Sequence, residues 1–256
     1  MLVSIFSLIL FGTKGESKSE NNVAIFTYHL IVEDEDFDEE GLNKSLPTTK
    51  LSDFENEMEF LKDNDYKVIS MKEFQDHIYE KKNFPPKTVL ITFDDGYYSN
   101  IQYAYPILKE YNFPATTFII GKMTEHAKPD AKLRYISIEE MNDTKDIFTY
   151  GGHTYDLHYF DDGKSRLVSS SEEVVKDDLK KLSNIGEFKY FAYPYGMYSA
   201  KNEKILEDFG YKLGFLNNNE LANLNSRPFE IPRISINSMI TFEDFVKFLI
   251  LLEKDK

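Results

Sequence analysis

Two adjacent carboxylates, Asp94 and Asp95, follow directly on the run Thr88-Val-Leu-Ile-Thr-Phe93 and directly precede Gly96. Like charges this close repel, and a cation or a proton on one of them relieves the strain. Two of the chain's five histidines, His153 and His158, fall in one short segment behind Gly151 and Gly152. Neutral imidazole is the commonest protein ligand for a metal, and carboxylate completes such sets. Asp95, His153 and His158 together would form a His₂Asp set with coordination positions left open for water. That is the layout of a catalytic rather than a structural zinc site. Taken singly, each feature also has an ordinary reading. Asp-Asp-Gly is then a polar turn capping a helix, and the histidines are surface or core residues.

The elements that must position these groups alternate along the chain. The β-branched and aromatic run 88–93 reads as a buried strand. Further strands are predicted over 23–28, ending at His29, and over 67–69, 115–120, 147–150, 190–193, 211–216 and 234–236. Capping-box pairs open helices at Ser52 with Glu55, Ser70 with Glu73 and Ser137 with Glu140, and Thr241 with Asp244 opens the last one. Helices are also predicted over 100–111, 171–185 and 199–209. Regular alternation implies one α/β domain with a mainly parallel sheet. With no Gly-x-Gly-x-x-Gly fingerprint, a (β/α) barrel is favoured over an open dinucleotide-binding sheet. Active sites in such folds sit at the C-terminal ends of the strands, where Asp94, Asp95 and the histidines fall.

Composition narrows the chemistry. The 256 residues carry a formal charge of −14, which argues against nucleic acid or an anionic membrane as partner. The chain has no cysteine, so disulfides, thiolate metal sites and cysteine nucleophiles are excluded, and any metal must be held by histidine and carboxylate. Residues 1–11 are apolar, too short a run to span a bilayer but of the length of a secretory h-region. Residues 1–22 are accordingly read as a signal-like segment and linker before a catalytic domain over 23–256, and the protein as secreted or held at the cell surface. The acidic stretch 33–40 lacks calcium-loop spacing and reads as a solvated loop.

Three motifs, Thr-Phe-Asp-Asp-Gly96, His153-Thr-Tyr-Asp-Leu-His158 and Phe191-Ala-Tyr-Pro-Tyr-Gly196, resemble in type and order those of the polysaccharide deacetylases (carbohydrate esterase family 4, the NodB homology domain). Tyr28-His29, Ala104-Tyr-Pro-Ile-Leu-Lys109, Phe113-Pro-Ala-Thr116 and Ile231-Pro-Arg233 are similar to the branch that deacetylates poly-β-1,6-N-acetyl-D-glucosamine of biofilms. The resemblance implies a distorted (β/α) barrel and hydrolytic N-deacetylation of an N-acetylglucosamine polymer with release of acetate. It implies Asp94 as general base, and Asp95, His153 and His158 as ligands of a divalent metal, zinc first, with cobalt, nickel or iron(II) as substitutes. It also implies an oxyanion donor in the backbone near Tyr195. Tyr193, Tyr195 and Lys189 are placed with the substrate, and Tyr97, Tyr98 and Tyr198 either join a sugar-stacking platform or simply pack.

The chain departs from the common family pattern in three places. His158 stands five residues after His153 rather than four, as in the biofilm branch. Lys189 stands where the third motif usually begins with arginine, which removes a bidentate hold on the base at that position. The last motif usually ends in a histidine that acts as acid, and Ile234-Ser-Ile-Asn237 has none. His29, at the end of the first strand, is the expected substitute, because in a closed barrel the first strand adjoins the last. Peptidoglycan or chitin-type chains are the alternative substrates. A carbohydrate-binding protein without turnover is the rival from another class, and the intact Asp94, Asp95, His153 and His158 set opposes it.

Overall fold

Every residue of the strand Thr88–Phe93 is buried, as expected of a strand covered on both faces. The protein is described by a computed structural model covering residues 21–37 and 46–253. Numbered along the chain, its strands are β1 (Ala24–Tyr28), β2 (Leu30–Val32), β3 (Thr48–Lys50), β4 (Lys67–Val68), β5 (Thr88–Phe93), β6 (Ala115–Ile119), β7 (Phe148–Gly152), β8 (Phe160–Asp161), β9 (Lys164–Ser165), β10 (Tyr190–Ala192), β11 (Leu213–Phe215) and β12 (Ile234–Ser235). Eight of them form one parallel sheet in the order β11-β10-β7-β6-β5-β1-β12, with β4 also paired to β5. A parallel bridge between Phe215 and Ile231 brings the segment ahead of β12 back to β11. The sheet thereby curls into the distorted (β/α) barrel that the alternation predicts.

Register decides which residues meet at the rim. Tyr28 pairs with Phe93, and the Asp94 N–H donates to the Tyr28 carbonyl at 2.9 Å. His29 and Asp94 therefore leave the sheet side by side. Ile119 pairs with Gly152, and the His153 N–H donates to the Ile119 carbonyl at 2.9 Å, which puts His153 on the same rim.

The helices are α1 (Leu51–Asp63), α2 (Met71–Glu80), α3 (Tyr105–Tyr111), α4 (Gly121–Glu125), α5 (Ile138–Asp143), α6 (Arg166–Ser169), α7 (Glu172–Ser183), α8 (Ala200–Asp208) and α9 (Phe242–Glu253). Alternate strand residues divide the core. Phe26, Tyr28, Ile91 and Phe93 join Phe54, Met58 and Leu61 of α1, while Ile25, Leu90, Phe118 and Phe215 form an inner cluster with Phe74 and Ile78 of α2. This is the period-2 division of side chains between the faces of a strand.

The capping boxes at Ser70 and Ser137 form as predicted. The one at Ser52 does not. Helix α1 starts two residues earlier, with Lys50 at the N-cap, and the Ser52 hydroxyl donates instead to Asp34 at 2.5 Å. The helix predicted over 100–111 opens as a wider π-type turn, Asn100–Ala104. Pro106, lacking an N–H, stands where a continuous helix would need a donor. The β2–β3 and β8–β9 pairs, of two or three residues a strand, are too short for any periodicity to announce. The apolar run over 1–11 lies outside the described residues.

Beneath the rim, Glu57 of α1 is buried and accepts the Tyr28 hydroxyl at 2.7 Å. Burial pushes its carboxyl up to about 8 from 4.5. A carboxyl raised on folding stays protonated in the native state while the unfolded chain ionises, so stability is lost as pH rises between those two values. Between pH 4.5 and 8 the wild-type urea midpoint is expected to fall relative to that of Glu57→Gln. Parallel curves for the two proteins would show that Glu57 is not held protonated.

Candidate active site

Asp94 is held by an arginine from the far end of the chain. Arg233, fully buried, donates through Nη1 to Asp94 Oδ1 at 2.8 Å and through Nη2 to Oδ2 at 2.7 Å. Its Nε donates to the Leu216 carbonyl at 2.8 Å and Nη1 also reaches the Thr92 hydroxyl at 3.3 Å. The guanidinium lies over the rings of Phe118 and Phe215, 5.3 and 5.9 Å from their centroids. Burial alone would raise the Asp94 carboxyl, but the Arg233 guanidinium and nearby histidines outweigh it and hold it well below the usual range. Asp94 is thus ionised and fixed in orientation. The bidentate hold that Lys189 could not supply comes from Arg233. Lys189 itself is exposed ahead of β10, at the end of the strand opposite the rim, so its assignment to the substrate is dropped.

Asp95 turns the other way. Its φ is +69° and that of Gly96 is +76°, a left-handed pair that aspartate and glycine tolerate. A Cβ on Gly96 would sit 3.0 Å from Ile119 Cγ2, a tight contact at a φ where any larger residue is strained. The kink sets Asp95 Oδ1 3.6 Å from His153 Nε2 and 3.3 Å from His158 Nε2. One donor atom from each of the three residues lies within 4.8 Å of the others. His153 Nδ1 bonds the Ala192 carbonyl at 2.7 Å. A carbonyl only accepts, so Nδ1 carries the proton and Nε2 presents its lone pair to the cluster. Burial draws the His153 pKa down to about 4, which keeps the ring neutral. Asp95 Oδ1 is buried and makes no hydrogen bond. An orphaned carboxylate oxygen facing two imidazole nitrogens suits a divalent cation, and these residues fit one.

His29 is buried, with Nε2 4.0 Å from Asp94 Oδ2 and Nδ1 without a hydrogen bond. Tyr195 occupies the turn Pro194–Gly196 with φ +60°. Its ring lies 4.7 Å from the His158 ring and 4.1 Å from Phe160, and its hydroxyl donates to the His158 carbonyl at 3.3 Å. Tyr195 and Phe160 both keep exposed surface. Tyr193 does not: it is fully buried and packs against Phe191 and Tyr198, so it is core rather than a sugar contact. Tyr97 is buried with its ring 5.2 Å from Tyr135, and Tyr98 carries the Arg134 guanidinium 3.4 Å from its centroid. His77 and His126, given no role, lie away from the cluster on α2 and after α4.

Residues 81–214 match the family described as polysaccharide deacetylase. A poly-β-1,6-N-acetyl-D-glucosamine N-deacetylase of Staphylococcus aureus is 35% identical over 208 residues, 77% of this chain and 70% of the relative. The chain belongs to the polysaccharide deacetylase family. A Staphylococcus epidermidis relative of the same name is 31% identical over 209 residues, 76% of this chain and 70% of its own length. Two solved structures share the fold. The Streptococcus pyogenes deacetylase PplD in complex with acetate is 24% identical with TM-score 0.73, covering 89% of this chain and 98% of that one. IcaB from Ammonifex degensii is 23% identical with TM-score 0.73, covering 91% and 97%. Family membership makes the chain a carbohydrate N-deacetylase.

In this deacetylase the sequence alone assigns Arg233 no role, although Ile231-Pro-Arg233 is part of the resemblance. The signal was the lysine at 189, which left Asp94 needing an arginine from elsewhere. Arg233→Lys keeps the charge but cannot form two parallel bonds. It is expected to lower the rate of acetate release about 10- to 100-fold with metal content unchanged. An unchanged rate would show that the fixed orientation of Asp94 is immaterial.

Proposed function

We propose that this protein removes acetyl groups from N-acetylglucosamine units of poly-β-1,6-N-acetyl-D-glucosamine, outside the cell or at its surface. The observation that carries the chemistry is a clamped, ionised carboxylate, Asp94, immediately beside the Asp95, His153 and His158 set. The polymer is inferred from the staphylococcal relatives named for it. Among the described residues no helix is long and apolar enough to cross a membrane.

Asp95, His153 and His158 would hold the cation, zinc or in its place cobalt, nickel or iron(II). When bound it supplies a Lewis acid for the acetamide carbonyl and lowers the pKa of water at the site. Asp94 accepts a proton as water adds to the carbonyl carbon. The Tyr195 N–H, in the turn Pro194–Gly196, donates to the developing oxyanion. His29 gives a proton to the nitrogen as the C–N bond breaks, leaving acetate and a free amine. The 4.0 Å from His29 Nε2 to Asp94 Oδ2 exceeds a hydrogen bond, so the base and the acid stay separate groups. The exposed faces of Tyr195 and Phe160 offer a surface for a sugar ring. The strongly acidic chain suits a neutral substrate that becomes a cationic product.

Metal-loaded protein incubated with β-1,6 and β-1,4 N-acetylglucosamine oligomers is expected to release acetate faster from the β-1,6 series. Equal rates, or preference for β-1,4, would point to a chitin- or peptidoglycan-type substrate. Asp94→Asn is expected to retain stoichiometric metal and lose roughly 10²- to 10⁴-fold in turnover, the usual effect of removing a general base. Near-normal turnover would move that role to another group. His29→Ala should bind metal normally and lose turnover. Full activity in that variant would end its assignment as acid.

A further inference from the structure

The segment joining the two histidines cannot hold its own shape. Helical residues five apart point about 140° away from each other, so a helix could not aim both rings at one point. The segment is irregular instead, and irregular buried backbone must find partners for its N–H groups. Thr154 sits at φ +70°, a left-handed conformation that is strained for a β-branched residue and persists only where its surroundings enforce it.

Those surroundings come from two directions. At the start of α4 the Gly121 N–H donates to the Thr154 carbonyl at 3.0 Å and the Lys122 N–H to the Tyr155 carbonyl at 2.9 Å. From α7, Asp178 Oδ2 accepts the Tyr155 N–H at 2.7 Å and Oδ1 accepts the Asp156 N–H at 2.8 Å. Asp178 is itself buried, 5% exposed. Both carboxylate oxygens are thus committed to consecutive amides lying between the two ligands, and charge-assisted bonds of this kind are roughly twice as strong as neutral ones.

We infer that Asp178 is a positioning residue for the metal site: by gripping the Tyr155 and Asp156 amides it holds the strained His153–His158 segment in the shape that converges both imidazoles on Asp95. The inference rests on the metal-dependent reading proposed above. Asp178 touches neither metal nor substrate, and its effect is carried entirely by the backbone it holds. The same two bonds could not be made by an amide, since asparagine offers one acceptor oxygen and turns an NH₂ group toward the second N–H.

The test is zinc affinity of the full chain, measured by chelator competition, alongside thermal unfolding and amide hydrogen exchange of the metal-free proteins. Asp178→Asn and Asp178→Ala are expected to weaken zinc binding about 10- to 100-fold, the usual consequence of removing a partner that orients a ligand, with alanine the worse of the two. Exchange at Tyr155 and Asp156 should accelerate in Asp178→Asn while the sheet amides keep their protection. Wild-type zinc affinity in a folded Asp178→Asn protein would overturn the inference. If Asp178→Ala fails to fold, the asparagine variant decides alone, and unchanged exchange at the two amides would also count against the clamp. A wild-type protein that binds zinc no better than His153→Ala would instead overturn the metal-dependent reading itself.

Discussion

The ion pair between Arg233 and Asp94 is the constraint around which the rim is built. Both partners are buried, and removing two charges from water is unfavourable unless geometry and further hydrogen bonds compensate. Here they do: the two bonds to Asp94 are parallel, Leu216 and Thr92 take further N–H groups, and two phenyl rings cover the guanidinium. Taking away either partner would strand a buried charge, at about 3–5 kcal/mol. The barrel interior therefore enforces the ionised form of Asp94, and it does so at the strand end where the chain kinks toward Asp95.

Charge counting across the cluster shows how a cation would fit there. Asp94 and Asp95 contribute two negative charges and Arg233 one positive charge, while burial keeps His153 neutral. One carboxylate is left uncompensated, and its Oδ1 is the atom that lacks a hydrogen bond. The division of labour between neighbouring aspartates follows from backbone geometry. Asp94 ends a regular strand and faces the arginine, and the left-handed turn at Asp95 swings its carboxylate round to the imidazoles.

Much of this was legible in the sequence because it depends on local runs. The buried strand before Asp94, the capping boxes at Ser70 and Ser137 and the Gly-Gly ahead of His153 each announce themselves within a few residues. What could not be read depends on contacts between distant parts of the chain. Arg233 reaches Asp94 across 139 positions, and the lysine at 189 marks a missing arginine without saying where one comes from. Tyr193 shares a motif with Tyr195, yet the first packs into the core against Phe191 and Tyr198 while the turn at Pro194 exposes the second. Phe160 gains its place beside Tyr195 only through a two-residue strand, and Asp178 reads as one more acidic residue on a charged helix. Ser52 shows the opposite failure, a correct local signature overruled by a tertiary partner in Asp34.

The position of Arg233 also ties chemistry to the order in which the barrel is finished. Asp94 and Asp95 emerge early, at the end of the fifth strand, but the group that fixes Asp94 arrives with the segment that seals the sheet through Ile231 and Phe215. A nascent chain short of that segment would hold Asp94 among apolar rings with no counter-charge, and an unpaired buried carboxylate takes up a proton. The ionised form of Asp94 therefore depends on the same segment that closes the sheet.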